Sequence, residues 1–416
     1  MHIDFVYDVV CPYAYLASTR VEAAAAAYGA TVRWRPILLG GLFREIGAPD
    51  DPNTVMPEAK ATLVRRDIER WADLLGVPLD RPTDHPRRTV GAMRLCTLAS
   101  DAQRPAVSRA LFSAYWVQGR DVSDPRVLAS IASQHGLSAE AIDAPGTKAA
   151  LREATAQAAA QGAFGVPTFR VGDRLWWGQD RLDLALSTLA SAGDNGTGVE
   201  VDHSPRVFEP MSAGGRSVTF VHDFSSPFSY LASTAVERVA ARHGVPVTWH
   251  PILLGALFRS IGTPDVPLFT MTQRKQQWVA RDLDDWAKAR GVPFRFPSHF
   301  PMRSILPLRA ALAEPKATPA IYRAAWGDDR RIDEPQSLAS VLADAGFSPE
   351  PLIEATNDPE IKERLKSNTM QAETLGVCGV PTFVVTDDRH EAPLLLWGQD
   401  RLGMLDAVLS GWWPSA

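Results

Sequence analysis

Cysteine is scarce in this chain: three residues in 416, Cys11, Cys96 and Cys378, far apart and with no CxxC spacing. That excludes a disulfide framework and a zinc ribbon, and it suits a reducing compartment. Positive charge is also short, with 43 Lys+Arg against 48 Asp+Glu and a net charge of −5. Nucleic acids and anionic membranes demand a concentrated basic face, so neither is expected as a partner. No stretch has the length needed to cross a bilayer, and no basic segment followed by an apolar run precedes Asp4, so a cytoplasmic protein is expected. The HExxH, GxSxG, Walker and strand-linked GxGxxG patterns are missing too. Metal, hydrolase and nucleotide readings therefore have no support, and no metal site is expected.

What is present is a duplication. DFVYDVVCPYAYLAST near the start recurs as TFVHDFSSPFSYLAST, placing Cys11-Pro12 against Ser226-Pro227 at an offset of 215. The same offset relates Pro36 to Pro251, Lys60 to Lys275, Asp67 to Asp282, Trp71 to Trp286, Pro86 to Pro301 and Arg94 to Arg309. An ungapped match over roughly ninety residues is repetition, not chance. GVPTF (from Gly165 and Gly379) and WGQDRL (from Trp177 and Trp397) extend it with small gaps. The chain is also longer than a single core usually supports, so two domains are expected, at 1–190 and 217–416. Between them, 191–216 is rich in Gly, Ser and Asp and reads as a flexible linker.

Each copy opens on an alternating apolar run, His2 to Tyr7 or Ser217 to His222, the pattern of a buried strand. A Pro follows, then a helical stretch (Tyr13 to Tyr28; Phe228 to His243) ending before Gly29 or Gly244. A second strand comes next, Thr31 to Pro36 or Val247 to Pro251, and then a helical block that includes Lys60 to Leu75, Val90 to Leu98 and Val107 to Trp116. The segment GVPTFRVGDRLWWG reads as two strands around a tight turn at Gly172-Asp173, with a closing helix from Gln179. Strand, helix, strand, helical block, strand, strand, helix is an α/β order.

The residue before each Pro sits where a helix begins. Unpaired N–H groups favour an anion there, so a Cys would be drawn toward thiolate, while a Ser hydroxyl can donate to another group's anion. A plain Ser cap fits the local sequence equally well. The recurring Trp71 and Trp286 read as core at helical spacing, and Cys96 and Cys378 as inert buried thiols. Trp116 and Trp326 precede loops that could line a cleft. His222, which replaces Tyr7, could serve as a base or simply be a strand residue.

With these motifs together (Cys11 to Leu16, Ser226 to Leu231, both GVPTF and both WGQDRL segments), the chain resembles thioredoxin-fold proteins with an inserted helical domain. Within that superfamily it is similar to the 2-hydroxychromene-2-carboxylate isomerase and kappa-class glutathione transferase family, related to the DsbA oxidoreductases. The resemblance spans nearly all of both copies. It implies two tandem thioredoxin-like domains, each with an inserted all-helical subdomain, forming an internal pseudo-dimer within a chain that could be monomeric.

For function the resemblance implies a glutathione-dependent cis–trans isomerase or transferase acting on an aromatic-derived unsaturated acid. Ser226 would hold the glutathione sulfur deprotonated. Val166-Pro167 and Val380-Pro381 match the family's cis-proline, whose Val backbone pairs with glutathione. Gln179-Asp180 and Gln399-Asp400 would hold its γ-glutamyl end, and Lys60 and Lys275 match a family lysine near the thiol. The family's Asn after a Pro in the insert is replaced by Arg88 and Arg303. A planar fixed charge there could grip a substrate carboxylate, or signal that glutathione is held differently. Phe228 and Tyr13 are further expected substrate contacts.

Cys11 leaves three alternatives open. Ala14 occupies the resolving-Cys position, so a two-thiol cycle at this site is excluded. Cys11 could still act as a monothiol oxidoreductase, replace Ser as a weaker donor, or mark a copy that no longer catalyses. A non-catalytic binding protein descended from the enzyme is the remaining reading.

Overall fold

The computed structural model describes residues 1–48, 56–190 and 215–415; the expected linker falls almost wholly outside them. The chain divides into two compact units. One comprises Met1–Val55, Ile68–Val201 and Pro414–Ala416, the other Met56–Asp67 and Asp202–Trp413.

In the first unit, β1 (His2–Tyr7) runs parallel to β2 (Thr31–Pro36) and antiparallel to β3 (Thr168–Val171), which pairs with β4 (Arg174–Trp177). The sheet order is β2-β1-β3-β4. Its central strand buries Phe5 and Tyr7 in a stack 5.1 Å apart, closed edge-on by Trp34 and flanked by Phe169. Each such ring contributes about 1.5–3 kcal/mol by leaving water, which makes this stack the centre of the core.

The expected helix from Tyr13 to Tyr28 is two helices, α1 (Pro12–Ser18) and α2 (Val21–Ala27). The Ser18 and Thr19 hydroxyls bond back to the carbonyls of Tyr15 and Leu16, and Arg20 leaves helical geometry. That break frees the Arg20 guanidinium to reach Gln179. Short-range hydroxyl competition of this kind is invisible to hydrophobic periodicity. Six helices follow before β3: α3 (Leu39–Glu45), α4 (Glu58–Leu75), α5 (Val90–Leu98), α6 (Arg104–Trp116), α7 (Pro125–Gln134) and α8 (Pro145–Ala160). The unit's last helix is α9 (Leu182–Ala190).

The second unit repeats the plan. Its strands are β5 (Arg216–His222), β6 (Val247–Pro251), β7 (Thr382–Asp387) and β8 (Leu394–Trp397), in the order β6-β5-β7-β8. Its helices are α10 (Pro227–Ser233), α11 (Val236–Ala241), α12 (Leu254–Ser260), α13 (Pro267–Thr270), α14 (Gln273–Arg290), α15 (Ile305–Ala313), α16 (Thr318–Trp326), α17 (Pro335–Asp344), α18 (Pro349–Ala355), α19 (Pro359–Thr374) and α20 (Leu402–Leu409).

The copies and the packing units do not coincide. The first ten residues of α4 lie in the second unit, where Leu63 packs with Val221, Ile252, Val380, Val384 and Leu395. Polar contacts pin the same segment. Arg401 makes a two-pronged pair with Asp67 (2.6 and 2.9 Å), and Lys60 Nζ lies 5.5 Å over the Trp397 ring.

The two cores solve one polar problem differently. Tyr7 hydrogen-bonds Ser108 in the first; in the second, His222 Nδ1 lies 3.0 Å from the Tyr322 hydroxyl, and its Nε2 has no partner among the described residues. Burial, aided by the charge of His250, pushes His222 down to about 3. Above pH 6.5 the ring is neutral whether folded or unfolded. Below that only the unfolded chain takes the proton, so stability falls with pH, by up to about 1.4 kcal/mol per unit, until about pH 3. Asp223, raised by burial, works in the opposite sense at acid pH. The comparison with His222→Gln isolates the histidine. In urea titrations the wild type should lose stability faster than the variant from pH 6 to 4, and parallel curves would refute the assignment.

Candidate active site

Both copies place the pre-proline residue against the same partner. Val166-Pro167 and Val380-Pro381 are cis, and each Val carbonyl turns toward the start of the unit's first helix. In the first unit the Cys11 thiol donates to Val166 O at 3.1 Å; in the second the Ser226 hydroxyl donates to Val380 O at 3.3 Å. Ser226 Oγ also accepts the Ser229 N–H at 3.2 Å, so it caps α10, whereas Cys11 makes no side-chain cap. No described residue accepts the N–H of Val166 or Val380, which leaves one backbone donor open beside each site.

Cys11 departs from expectation. Burial pushes its thiol up to about 12, and the nearby Asp8 charge adds to this; the N–H groups of Tyr13 and Ala14 pull the other way and are outweighed. The helix start favours a thiolate only where water or a cation helps to solvate it. Cys96 and Cys378 are buried as well, and burial pushes them up to about 11 and 12.

The two signature segments are one structure. Gly165 lies so close to Trp177 that an added Cβ would sit 2.6 Å from the indole nitrogen, and the Gly379–Trp397 pair repeats this at 3.0 Å. Gly178 and Gly398 have φ near +107° and +116° and donate to the carbonyls of Pro167 and Pro381 at 2.9 Å. The chain therefore delivers Gln179 and Gln399 directly beside each cis-proline. Both glutamines are 1% exposed. Arg20 grips the main-chain and side-chain oxygens of Gln179, and Arg290 does the same for Gln399. These arginines come from non-equivalent positions. In both copies the amide Nε2 is buried without a partner among the described residues, a donor that an added acceptor would satisfy.

Asp180 and Asp400 pair with the following arginines, Arg181 and Arg401, at 2.8 and 3.0 Å. Lys60, from the first copy, is the lysine that faces Trp397 in the second unit. Lys275 is drawn below the usual lysine range by burial and by the charge of Lys60. Arg88 and Arg303 are exposed, with no polar partner among the described residues. Tyr13 and Phe228 are half-buried at the second position of α1 and α10.

Sequence reasoning passed over two features. The peptides His85-Pro86 and Phe300-Pro301 are also cis, ahead of the Arg88 and Arg303 loops. Asp8 and Asp223 are fully buried three residues before Cys11 and Ser226. Each carboxylate takes a main-chain N–H from its own loop (Val10, Ser225) and another from the start of the helix that follows the second strand (Leu39 of α3, Leu254 of α12). Burial raises both, Asp8 to about 6. Their recurrence at the same offset was the available signal. Trp116 and Trp326 line no open cleft; both are buried, donating to Val9 O and Phe224 O. No described cluster of His, Cys, Asp and Glu could hold a metal ion, and no described helix is long and apolar enough to cross a membrane.

Residues 2–190 and 217–410 each match the DSBA-like thioredoxin domain. The chain belongs to that family. The proteins it is similar to include isomerases and transferases. A 2-hydroxychromene-2-carboxylate isomerase of Pseudomonas putida is 31% identical over 198 residues, 45% of this chain and 94% of the relative. Glutathione S-transferase kappa 1 of Rattus norvegicus is 29% identical over 206 residues, 45% of this chain and 90% of the relative. A solved 2-hydroxychromene-2-carboxylate isomerase structure superimposes with a TM-score of 0.42 at 28% identity, covering 46% of this chain and 96% of the other. A single DSBA-like relative thus corresponds to about half of this duplicated chain.

Proposed function

We propose that the protein is a glutathione-dependent isomerase of the 2-hydroxychromene-2-carboxylate isomerase type, and that the second unit carries the working site. One observation carries this reading: the Ser226 hydroxyl, the open Val380 N–H and the orphaned Gln399 amide are all tied to one cis-proline turn. A backbone N–H and an amide left without acceptors among the described residues, together with a hydroxyl, suit a peptide-like thiol with a carboxylate at one end. Lys60 and Asp400 complete the set of groups that would hold it.

Glutathione held there would supply a sulfur nucleophile for reversible addition to an electron-poor double bond. Ser226 would turn its O–H from the Val380 carbonyl to stabilise the thiolate. Arg303 holds the substrate carboxylate, and burial of Ser226 keeps competing water away. Burial, which pushes the Cys11 thiol up to about 12, disfavours the monothiol redox reading, and the first unit would then be a structural partner.

Calorimetric titration with reduced glutathione tests this. One site per chain should appear, be lost in Ser226→Ala and persist in Cys11→Ala. Binding that depends on Cys11 would move the chemistry to the first unit. No binding at millimolar glutathione would remove it from the mechanism.

A further inference from the structure

The sheet of the first unit carries a charged cluster for which the glutathione site has no use. Asp4, within β1, stands in register with Arg33 of β2 on one side and with Arg170 of β3 on the other. Arg35 lies two residues beyond Arg33, so strand alternation brings both to one face, away from the core-facing Trp34 between them. All three guanidinium groups converge on the one carboxylate. Arg33 donates from Nε at 2.7 Å and Nη2 at 3.1 Å, and Arg35 from Nε at 3.1 Å. Arg170 donates from Nε at 3.0 Å and Nη2 at 2.6 Å, and its Nη1 meets Gly172 O at 3.0 Å.

One carboxylate does not balance three fixed cations. No other carboxylate among the described residues lies within ion-pair distance of these arginines, and Asp173, in the adjoining turn, pairs with none of them. A surplus of positive charge is therefore concentrated here, on a chain whose net charge is −5. Guanidinium groups this close repel one another, and arginine does not relieve the repulsion by giving up a proton. Donors are left over as well. Both Nη atoms of Arg35 and Nη1 of Arg33 have no partner among the described residues. The Asp4 side chain is 3% exposed, but those of Arg33 and Arg35 are 40% and 45% exposed, so solvent reaches them.

Strand pairing does not demand this arrangement. In the second unit the same register holds with Thr219, Thr248 and Val384 in place of Asp4, Arg33 and Arg170, and His250 stands where Arg35 does. A carboxylate kept only to tie strands together would be satisfied by one arginine.

We infer that Arg33, Arg35 and Arg170 form an anion site in the first unit, and that its ligand presents a phosphate group as a dianion. Two negative charges match the surplus, and phosphate oxygens accept the parallel N–H groups along a guanidinium edge. Asp4 acts as the positioning residue. It holds the arginines in place beforehand, so that little side-chain freedom is lost when the anion arrives. The site is independent of the glutathione reading, since Cys11 lies past the opposite end of β1 and Ser226 belongs to the other unit.

Calorimetric titration of the full chain with inorganic phosphate, phenyl phosphate and acetate tests this, at low ionic strength and well above the second phosphate pKa of about 6. One phosphate group should bind per chain, and acetate, with a single charge, at least about tenfold more weakly. Arg35→Gln should weaken phosphate about tenfold, and Arg33→Gln/Arg35→Gln together should abolish binding at millimolar concentration. Arg170 still pairs with Asp4 in both variants, so neither strands the buried carboxylate, and melting curves check that they fold. Equal affinity for the two phosphates supports a site that reads the free ion, and tighter binding of phenyl phosphate supports one that reads an ester. Absence of binding by either at millimolar concentration overturns the inference, as does acetate binding equally well or affinity unmoved in the double variant. Ser226→Ala should leave phosphate affinity unchanged, so this inference and the glutathione site stand or fall separately.

Discussion

Ser226→Ala is expected to lower glutathione-dependent turnover of 2-hydroxychromene-2-carboxylate by roughly a hundredfold or more, the usual loss when one donor to a developing anion is removed. The argument rests on what the hydroxyl does at rest. It donates to Val380 O at 3.3 Å, a long bond readily exchanged for a better acceptor, and it accepts from Ser229 N at 3.2 Å. Only the second bond is a structural duty, and losing such a cap costs about 1 kcal/mol. Turnover and melting temperature should therefore separate widely. The pH–rate profile adds a readout that a structural role would not move: without the donor, the acid limb should shift to higher pH, because the bound thiol ionises less readily. Unchanged turnover per folded molecule would return Ser226 to the rank of a cap.

The largest effect on stability should come from Asp387→Ala. Arg216 and Asp387 are buried together, with side chains 2% and 1% exposed and a 2.8 Å contact between them. Arg216 also donates to Leu409 O at 2.7 Å, so the pair ties the first strand of the second unit to the last turn of α20. Arg389 bonds the same carboxylate and helps to hold it well below the usual range. Removing the carboxylate leaves Arg216 buried without this counter-charge, at a cost of about 3–5 kcal/mol. Replacing the pair together, by Arg216→Met with Asp387→Leu, should recover most of that loss. Urea unfolding checks both results, and a single variant within about 1 kcal/mol of wild type would contradict the account.

Much of the architecture was written locally. The repeat, the strands at His2–Tyr7 and Thr31–Pro36, and the turn at Gly172-Asp173 all follow from short-range pattern. The two signature motifs were also legible as motifs, because GVPTF and WGQDRL each recur in both copies. Their meeting, Gly165 on Trp177 and Gly379 on Trp397, was not. Other features depend on what packs from a distance. Cys11 becomes a poor acid because it is buried, with its thiol against the Val166 carbonyl from far along the chain. Gln179 and Gln399 are held by Arg20 and Arg290, positions that the repeat does not equate. No periodicity signals that Leu63 belongs to the second core.

That division of α4 bears on inheritance. The stretch up to Asp67 is encoded with the first repeat but answers to the second, since it carries Lys60, Leu63 and the Arg401 partner. A change at Lys60, Leu63 or Asp67 is therefore felt in the second unit, although all three are encoded with the first repeat. A descendant that lost the first repeat would lose part of the second repeat's foundation with it, so this duplication, once made, is difficult to undo.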